Sequence, residues 1–542
     1  MARPEAIPDV APPYRAPPAP KLRFAAKRPT LREPAKGAAS AADLAPLASV
    51  AAAVVFVLSV VRLGWVSDDA FITIRSVEHL LAGDGFGPNP GVRVQAFTSP
   101  LWALLCVPLR WLTGDPYGAL VLGGLVCTLG LSVLVCWWLR PLPWRAALGL
   151  LALSASTSFV EFSTSGLENS LTHLLIAAFC LERLERPNRP TTAMFALAGA
   201  LFLTRFDLAL VVVPALAISS LSAPRVALRR ALVPLVPVAA WLAFATLYYG
   251  FPQPNTALAK LNVELPLLAK VGRGFEYVLD VATRDPLVLL VFGVASALAL
   301  RRASPWSARG LQLGALLYFL YVIGIGGDFM SGRFFTVIYL VSVLVALELC
   351  GGVFTAPSAA AVLALPLVLA AGLVLRGEGG APERTECRVP ITGIVNERAC
   401  YAEHTALAQN VGSAKWRKHG YLTAFEKALA QTPEDVVVFD LVGMAAYGGG
   451  RRVHVVERYA LSDPLLARIR VEPEASWRAG HFPRPVPKGY VKSLRTGENH
   501  LEDPCLRRLY ADLEKVTRGP LWSRARLASI WRLNTQRAFC TL

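Results

Sequence analysis

Apolar runs long enough to cross a hydrocarbon core of about 30 Å recur along the first 375 residues and then stop. They predict eleven spanning helices, near 45–65, 117–139, 146–163, 168–182, 191–204, 207–222, 231–249, 286–300, 309–326, 334–350 and 358–375. Two shorter patterns lack that length. Leu101–Leu112 is apolar but too short to span, and Ala70–Ala82 places Phe71, Ile74, Val77 and Leu81 on one face and Arg75, Glu78 and His79 on the other. Both read as helices lying at the outer interface. From about Arg376 the pattern becomes that of a soluble domain. Glu434–Phe439 and Val453–Val456 are strand-like, and Leu422–Ala430 and Leu506–Val516 are helix-like, which makes this region α/β or α+β.

Charge then orients the chain. With the N-terminus inside, basic loops fall after the even-numbered helices, at Arg140 and Arg145, Arg183 to Arg189, Arg225 to Arg230, and Arg301 to Arg309, except after the tenth, where Gly351 to Ser358 is neutral. An odd number of spans leaves the C-terminal region outside. The first 43 residues, rich in Pro, Ala, Arg and Lys, read as a disordered basic cytoplasmic tail. Three parts are therefore expected: this tail, a membrane domain over 44–375 and an extracytoplasmic domain over 376–542.

With 54% hydrophobic and only 17% charged residues, the chain departs from the composition of a soluble protein. The net charge of +17 is spread over loops and the last third without an aromatic ladder for base stacking, which excludes a nucleic-acid partner. The partners implied are the lipid bilayer and what it carries. Cys106, Cys127, Cys136, Cys180 and Cys350 lie in or beside apolar segments and act as small hydrophobes. Cys387, Cys400, Cys505 and Cys540 lie in the polar region, where two disulfides would fit an oxidising compartment. No His/Cys cluster has zinc spacing.

Once this topology is drawn, the unusual polar motifs fall on one side. Asp68-Asp69 follows the first helix directly; the pair is either an N-cap for the next helix or two carboxylates raising each other's pKa toward proton-accepting chemistry. Arg205 and Asp207 straddle a tight turn, as an ion pair or as a phosphate site. Arg333, with Asp328 upstream, reads as a cation for an anionic lipid headgroup, and Lys260 as a second one unless it snorkels. Glu168 and Asn169 can cap a helix or touch substrate. Gln253 and Asn255, between prolines, offer amides suited to a sugar or to shaping a turn. Trp477, Arg478 and His481, in a Trp-Arg-Ala-Gly-His-Phe run, can make a stacking and hydrogen-bonding platform for a sugar or a folded loop with a structural His.

In order, the segments SDDAFITIR, GDGFGPNPGVRVQAFTSPLW, SGLEN, LTRFD, FPQPNTALAK, GGDFMSGRFF, GMAAYGG and WRAGHFPRPVPKGY resemble one bacterial group. It comprises the terminal β-(1→2) arabinofuranosyltransferases of actinobacterial cell walls, with homologues regarded as flagellar motor-control proteins. The resemblance runs from about residue 60 to about residue 490. It implies a GT-C fold, a polyprenyl-phosphate sugar donor (decaprenylphosphoryl arabinofuranose), transfer on the outer face, and a soluble domain that helps hold a cell-envelope polysaccharide acceptor. The family's acidic pair maps onto Asp68 and Asp69, with Asp68 favoured as the residue that meets the acceptor. Its GGD-x-M-x-x-RF stretch maps onto Gly326, Gly327, Asp328, Met330, Arg333 and Phe334. No cofactor is required on this reading, and a divalent cation bridging an Asp and the phosphate is left open. The competing readings are a non-enzymatic scaffold or motility-control protein, a flippase, and a transferase of another sugar to lipid A, protein or capsule.

Overall fold

The computed structural model describes residues 41–187, 189–350, 368, 371–372, 390–431, 435–473, 477–536 and 539–541. The expected tail up to residue 40, nearly all of the span expected at 358–375, and Cys387 lie outside the described residues.

Up to Leu349 the chain is a succession of helices. They are α1 (Ala41–Leu63), α2 (Ala70–Leu81), α3 (Pro100–Thr113), α4 (Pro116–Trp138), α5 (Pro143–Ala155), α6 (Thr157–Glu161), α7 (Asn169–Glu185) and α8 (Thr192–Thr204). Then come α9 (Ala209–Leu221), α10 (Pro224–Leu232), α11 (Val236–Tyr248), α12 (Asn255–Leu261), α13 (Leu267–Arg284), α14 (Pro286–Ala299), α15 (Trp306–Ile325) and α16 (Phe335–Leu349). Their ends follow local rules. Proline opens α3, α4, α5, α10 and α14, where its missing N–H costs nothing. Asp115 and Thr191 accept the free amides of Gly118 and Met194 that start α4 and α8.

Helices lie where apolar runs were expected, but eleven full spans are not found. Among the described residues three helices, α1, α4 and α15, are long and apolar enough to cross a membrane. The number becomes five if the bent pairs α10–α11 (53°) and α13–α14 (106°) each count as one. The cause is segmentation. The run expected as one helix over 146–163 breaks at Ser156, and α5, α8 and α9 have 13 residues each, about 20 Å at 1.5 Å per residue. The break at Ser156 is held by Asp285, which accepts from the Ser156 hydroxyl at 2.7 Å and from the Ser158 amide at 2.9 Å. This places a carboxylate at the positive end of α6.

The core centres on α16, whose residues from Phe335 to Val345 are all buried, with α5, α7, α14 and α15 packed around it. On its far side α15 lies so close to α9 that a Cβ on Gly314 would stand 2.0 Å from the Val211 carbonyl oxygen. Only glycine permits that approach.

The region from residue 390 onward is α/β. Strands β1 (Val436–Val438) and β2 (His454–Val456) pair in parallel, flanked by helices Gly420–Gln431 and Met444–Gly448. A second parallel pair joins β3 (Ile469–Arg470) to β4 (Cys540–Thr541), beside the Cys505–Cys540 disulfide. Cys400 is also disulfide-bonded.

This region is bound onto the helical part by buried side chains that bond backbone carbonyls. Arg75 of α2 donates to Pro88 at 2.7 Å, Gly450 at 3.1 Å and Val453 at 2.9 Å, and also to Ala446. Arg484 reaches Ala259 at 2.6 Å, and Arg526 reaches Tyr248 at 2.8 Å. The polar face expected on α2 is therefore no solvent face. Arg75 and His79 are 2% and 0% exposed, because the C-terminal region covers them. Each such hydrogen bond adds about 0.5–1.5 kcal/mol net, and more is lost if a buried guanidinium is left unpaired.

Candidate active site

The turn from Gly326 to Phe334 forms the floor of the site. Gly326 and Gly327 adopt φ of +93° and +72°, which ends α15 and admits the Tyr277 ring against Gly327. The Tyr277 hydroxyl donates to the Met330 carbonyl and accepts from the Phe334 amide, both at 3.2 Å. Arg333 is thereby pointed at the N-terminus of α7.

There it meets a nearly saturated cluster. Arg333 donates to Glu168 at 2.9 Å and to Asn169 at 3.3 Å, and lies 3.8 Å from Asp328. Arg205 holds Asp207 with two bonds of 3.0 and 2.5 Å, lies 3.6 Å from Glu168, and stacks over Phe334 at 4.2 Å. Burial alone would raise the Glu168 carboxyl; Arg333 and then Arg205 outweigh it and hold it below the usual carboxylate range. The pairing of Arg205 with Asp207, one of the two readings of that turn, is thus present. Asp328 is less settled: one oxygen accepts from the Phe329 amide at 2.9 Å, and the other is buried without a hydrogen-bond partner among the described residues.

The two adjacent aspartates differ sharply. Asp68 accepts from the Met444 amide at 2.7 Å and packs against Gly443, where a Cβ would come within 2.3 Å of its carboxylate oxygen. It is 7% exposed. Burial first and neighbouring Asp69 second push its pKa up to about 7, partly offset by the Met444 bond. Asp69 precedes α2 but makes no side-chain capping bond, and among the described residues no side chain pairs with it. Burial raises its pKa, against the pull of Lys260, Arg333 and Arg478. Asp68, favoured from the sequence, is the anchored member; Asp69 is the free one.

Lys260 makes no hydrogen bond or ion pair among the described residues, and its Nζ lies 3.2 Å from the position of a Cβ on Gly480. Arg478, read in the sequence only as part of a sugar platform with Trp477 and His481, sits over Phe329 at 4.5 Å and donates to Glu397 at 3.1 Å. Burial pushes Glu397 up to about 8, with Arg478 opposing and Asp69, Asp68 and Asp328 adding to the shift. Beyond it, Tyr401 stacks on Trp65 at 6.4 Å. Glu397 and Tyr401 gave no sequence signal, since neither stands in a distinctive motif.

Two other expectations are redirected. Asn255, read as a sugar-binding amide, instead donates to the carbonyls of Ala460, Leu461 and Asp463 at 2.9–3.2 Å and so anchors a C-terminal loop. Trp477 is committed to packing: it stacks on Phe482 at 5.9 Å and lies against Gly326. His481 packs edge-on against Phe329 at 4.5 Å and Tyr459 at 5.0 Å, and its Nδ1 lies 3.0 Å from the Ala479 carbonyl. Burial takes its pKa down to about 3, so the ring is neutral. Gln253 is exposed. Among the described residues no group of three or more His, Cys, Asp or Glu is arranged to hold a metal ion.

These features define a multi-pass membrane protein with a buried acid-and-arginine site closed over by its C-terminal region. The terminal beta-(1->2)-arabinofuranosyltransferase of Mycobacterium tuberculosis is 31% identical over 450 residues, covering 72% of this chain and 71% of that relative. A protein of the same name from Corynebacterium glutamicum is 31% identical over 323 residues, 50% of this chain and 46% of that one. The chain belongs to the terminal β-(1→2)-arabinofuranosyltransferase family and is a membrane glycosyltransferase. No family model matches. Among solved structures, ArnT from Cupriavidus metallidurans bound to undecaprenyl phosphate aligns at 16% identity over 77% of this chain and 87% of that one, with a TM-score of 0.48. The apo form of the same protein gives 0.47.

Proposed function

We propose that the protein, as a GT-C enzyme, transfers arabinofuranose from a polyprenyl-phosphate donor to a cell-envelope glycan on the outer face of the bacterial inner membrane. The observation that carries this reading is Asp69, a carboxylate with no side-chain partner among the described residues, with Lys260, Arg333 and Arg478 as its charge neighbours. On this reading the N-terminus is cytoplasmic and the region beyond residue 376 is extracytoplasmic. The Cys505–Cys540 disulfide supports that placement, because such bonds persist in oxidising compartments.

Arg333 and Lys260 hold the donor phosphate. The bond from the sugar C1 to the phosphate oxygen breaks with its electron pair leaving on the lipid phosphate, and C1 bonds to the acceptor oxygen. The cations stabilise the charge that gathers on the leaving group, usually the largest catalytic contribution. Asp69 takes the acceptor proton if configuration inverts. If it is retained, Asp69 faces the oxocarbenium-like centre instead, and the acceptor proton passes to the departing phosphate oxygen. Asp68 holds the Met444 loop over the site. Arg205 and Asp207 position Glu168 and, through it, Arg333.

The test is mass spectrometry of cell-envelope glycans and polyprenyl-phosphate sugars in a deletion strain complemented with wild type or Asp69→Asn. Loss of terminal arabinofuranose and accumulation of its lipid-linked donor, restored only by wild type, is expected. Unchanged glycans in the deletion strain would overturn the proposal.

A further inference from the structure

We infer that Arg478, carried by the C-terminal region, is a further phosphate-binding cation of this site, and that Glu397 is the residue that positions it. This rests on the reading of the site as one for a polyprenyl-phosphate sugar.

The contrast with three of the four fully buried arginines is the first argument. Arg75 makes four bonds to carbonyl oxygens, Arg484 five and Arg526 three. Such saturation is what a structural guanidinium needs, since unpaired buried donors are costly. Among the described residues Arg478, whose side chain is 24% exposed, has one protein acceptor, Glu397, and its Nε is buried with no partner. It is held in an unsaturated state by its surroundings.

Those surroundings are the second argument. Val395 donates to the Phe329 carbonyl at 2.7 Å and accepts from Ser331 at 3.0 Å, forming a parallel bridge at Met330. That bridge fixes Glu397, two residues on, relative to the turn that carries Asp328 and Arg333. Phe329 of the same turn supports the guanidinium face at 4.5 Å. Gly393, at φ +71°, leaves room for the Arg478 stem, where a Cβ would stand 3.2 Å away. The fork is thus fixed by a carboxylate and a ring face, and Asp69 is among the groups it acts on.

Chemistry supplies the third. A polyprenyl-phosphate sugar is a phosphodiester with one negative charge. When the C1–O bond breaks, the phosphate leaves as a monoester whose second pKa is near 6, so it carries close to two charges. An added guanidinium with free donors binds the departing and product states more strongly than the donor. Arg478 therefore bears on turnover and product affinity more than on donor affinity.

The experiment uses the full-length protein in nanodiscs, a decaprenyl-phosphate arabinofuranose donor, and decaprenyl phosphate as product inhibitor. For Arg478→Gln, kcat falls and the inhibition constant of decaprenyl phosphate rises, each about ten- to a hundredfold, with donor KM changed far less. Arg478→Lys recovers part of both. Glu397→Gln gives a smaller change of the same kind, and Glu397→Asp restores it. Arg484→Gln, a structural control, lowers Tm without moving the inhibition constant. The inference is overturned if Arg478→Gln and Arg478→Lys leave the inhibition constant at the wild-type value while Arg333→Gln raises it. If Arg333→Gln and Arg478→Gln both leave it unmoved, the phosphate reading of the whole site fails as well.

Discussion

Two groups of charges stand within one site, and they are built to opposite rules. In the Glu168–Arg205–Asp207 cluster every charge meets an opposite one within 3.6 Å, and the Arg205 face is covered by Phe334. Around Asp69 the opposite holds among the described residues: its carboxylate lacks a side-chain partner, Lys260 is unpaired, and Arg478 has spare donors. Paired charges hold a shape. On the proposed reading, the unpaired ones beside them are where a charged substrate supplies the missing partner.

Substitutions can break that contrast. Asp69→Asn should lower sugar transfer by about 10²–10⁴-fold with Tm close to wild type, measured with purified protein and a lipid-linked donor. Wild-type turnover from Asp69→Asn would remove the unpaired half from the chemistry. Arg205→Ala leaves Asp207 and Glu168 short of a buried cation and should cost about 3–5 kcal/mol of stability, read by thermal or denaturant unfolding. If it abolished transfer with no loss of stability, the paired half would be catalytic rather than architectural. Asn255→Ala removes the side-chain donor shared by the Ala460, Leu461 and Asp463 carbonyls, of which Asp463 keeps the Ala467 amide, and should cost about 1–3 kcal/mol. Donor and acceptor KM should not move, and a selective rise in either would return Asn255 to the substrate.

The smallest effect separates the two aspartates by pH. Asp68 has its folded-state pKa raised from 3.8 to about 7. Its contribution to stability is therefore fully present below the unfolded value, declines as pH rises, and is gone once pH passes about 7. Asp68→Asn keeps an acceptor for the Met444 amide and removes the titration. Its stability should fall less than that of wild type between about pH 4 and 7. Equal pH slopes would place the Asp68 carboxyl in a more solvated setting than its 7% exposure implies.

Much of this was legible along the chain. Helices α7, α8, α9, α11, α14, α15 and α16 follow apolar runs, whereas α10, α12 and α13 lie outside the expected spans; β1, β2 and helix Pro504–Arg518 fall on the local patterns that predicted them. The motifs around Asp69, Arg333 and Lys260 stood out because carboxylates and cations next to hydrocarbon are costly without a purpose. The number of full spans was not legible. Breaks such as Ser156 depend on Asp285, 129 residues away, to hold the loose helix end.

What the sequence by itself determined is a helical membrane protein, the order of its motifs and the acidic pair at the end of its first long helix. Periodicity, charge asymmetry and motif order are local properties, written in neighbouring residues. The division of labour within the pair was decided only by tertiary structure. The Met444 amide that claims Asp68 lies 376 residues away, and the segment with Arg478 lies farther still along the chain. Neighbouring residues of identical chemistry cannot be told apart until a distant backbone pairs with one of them and leaves the other free.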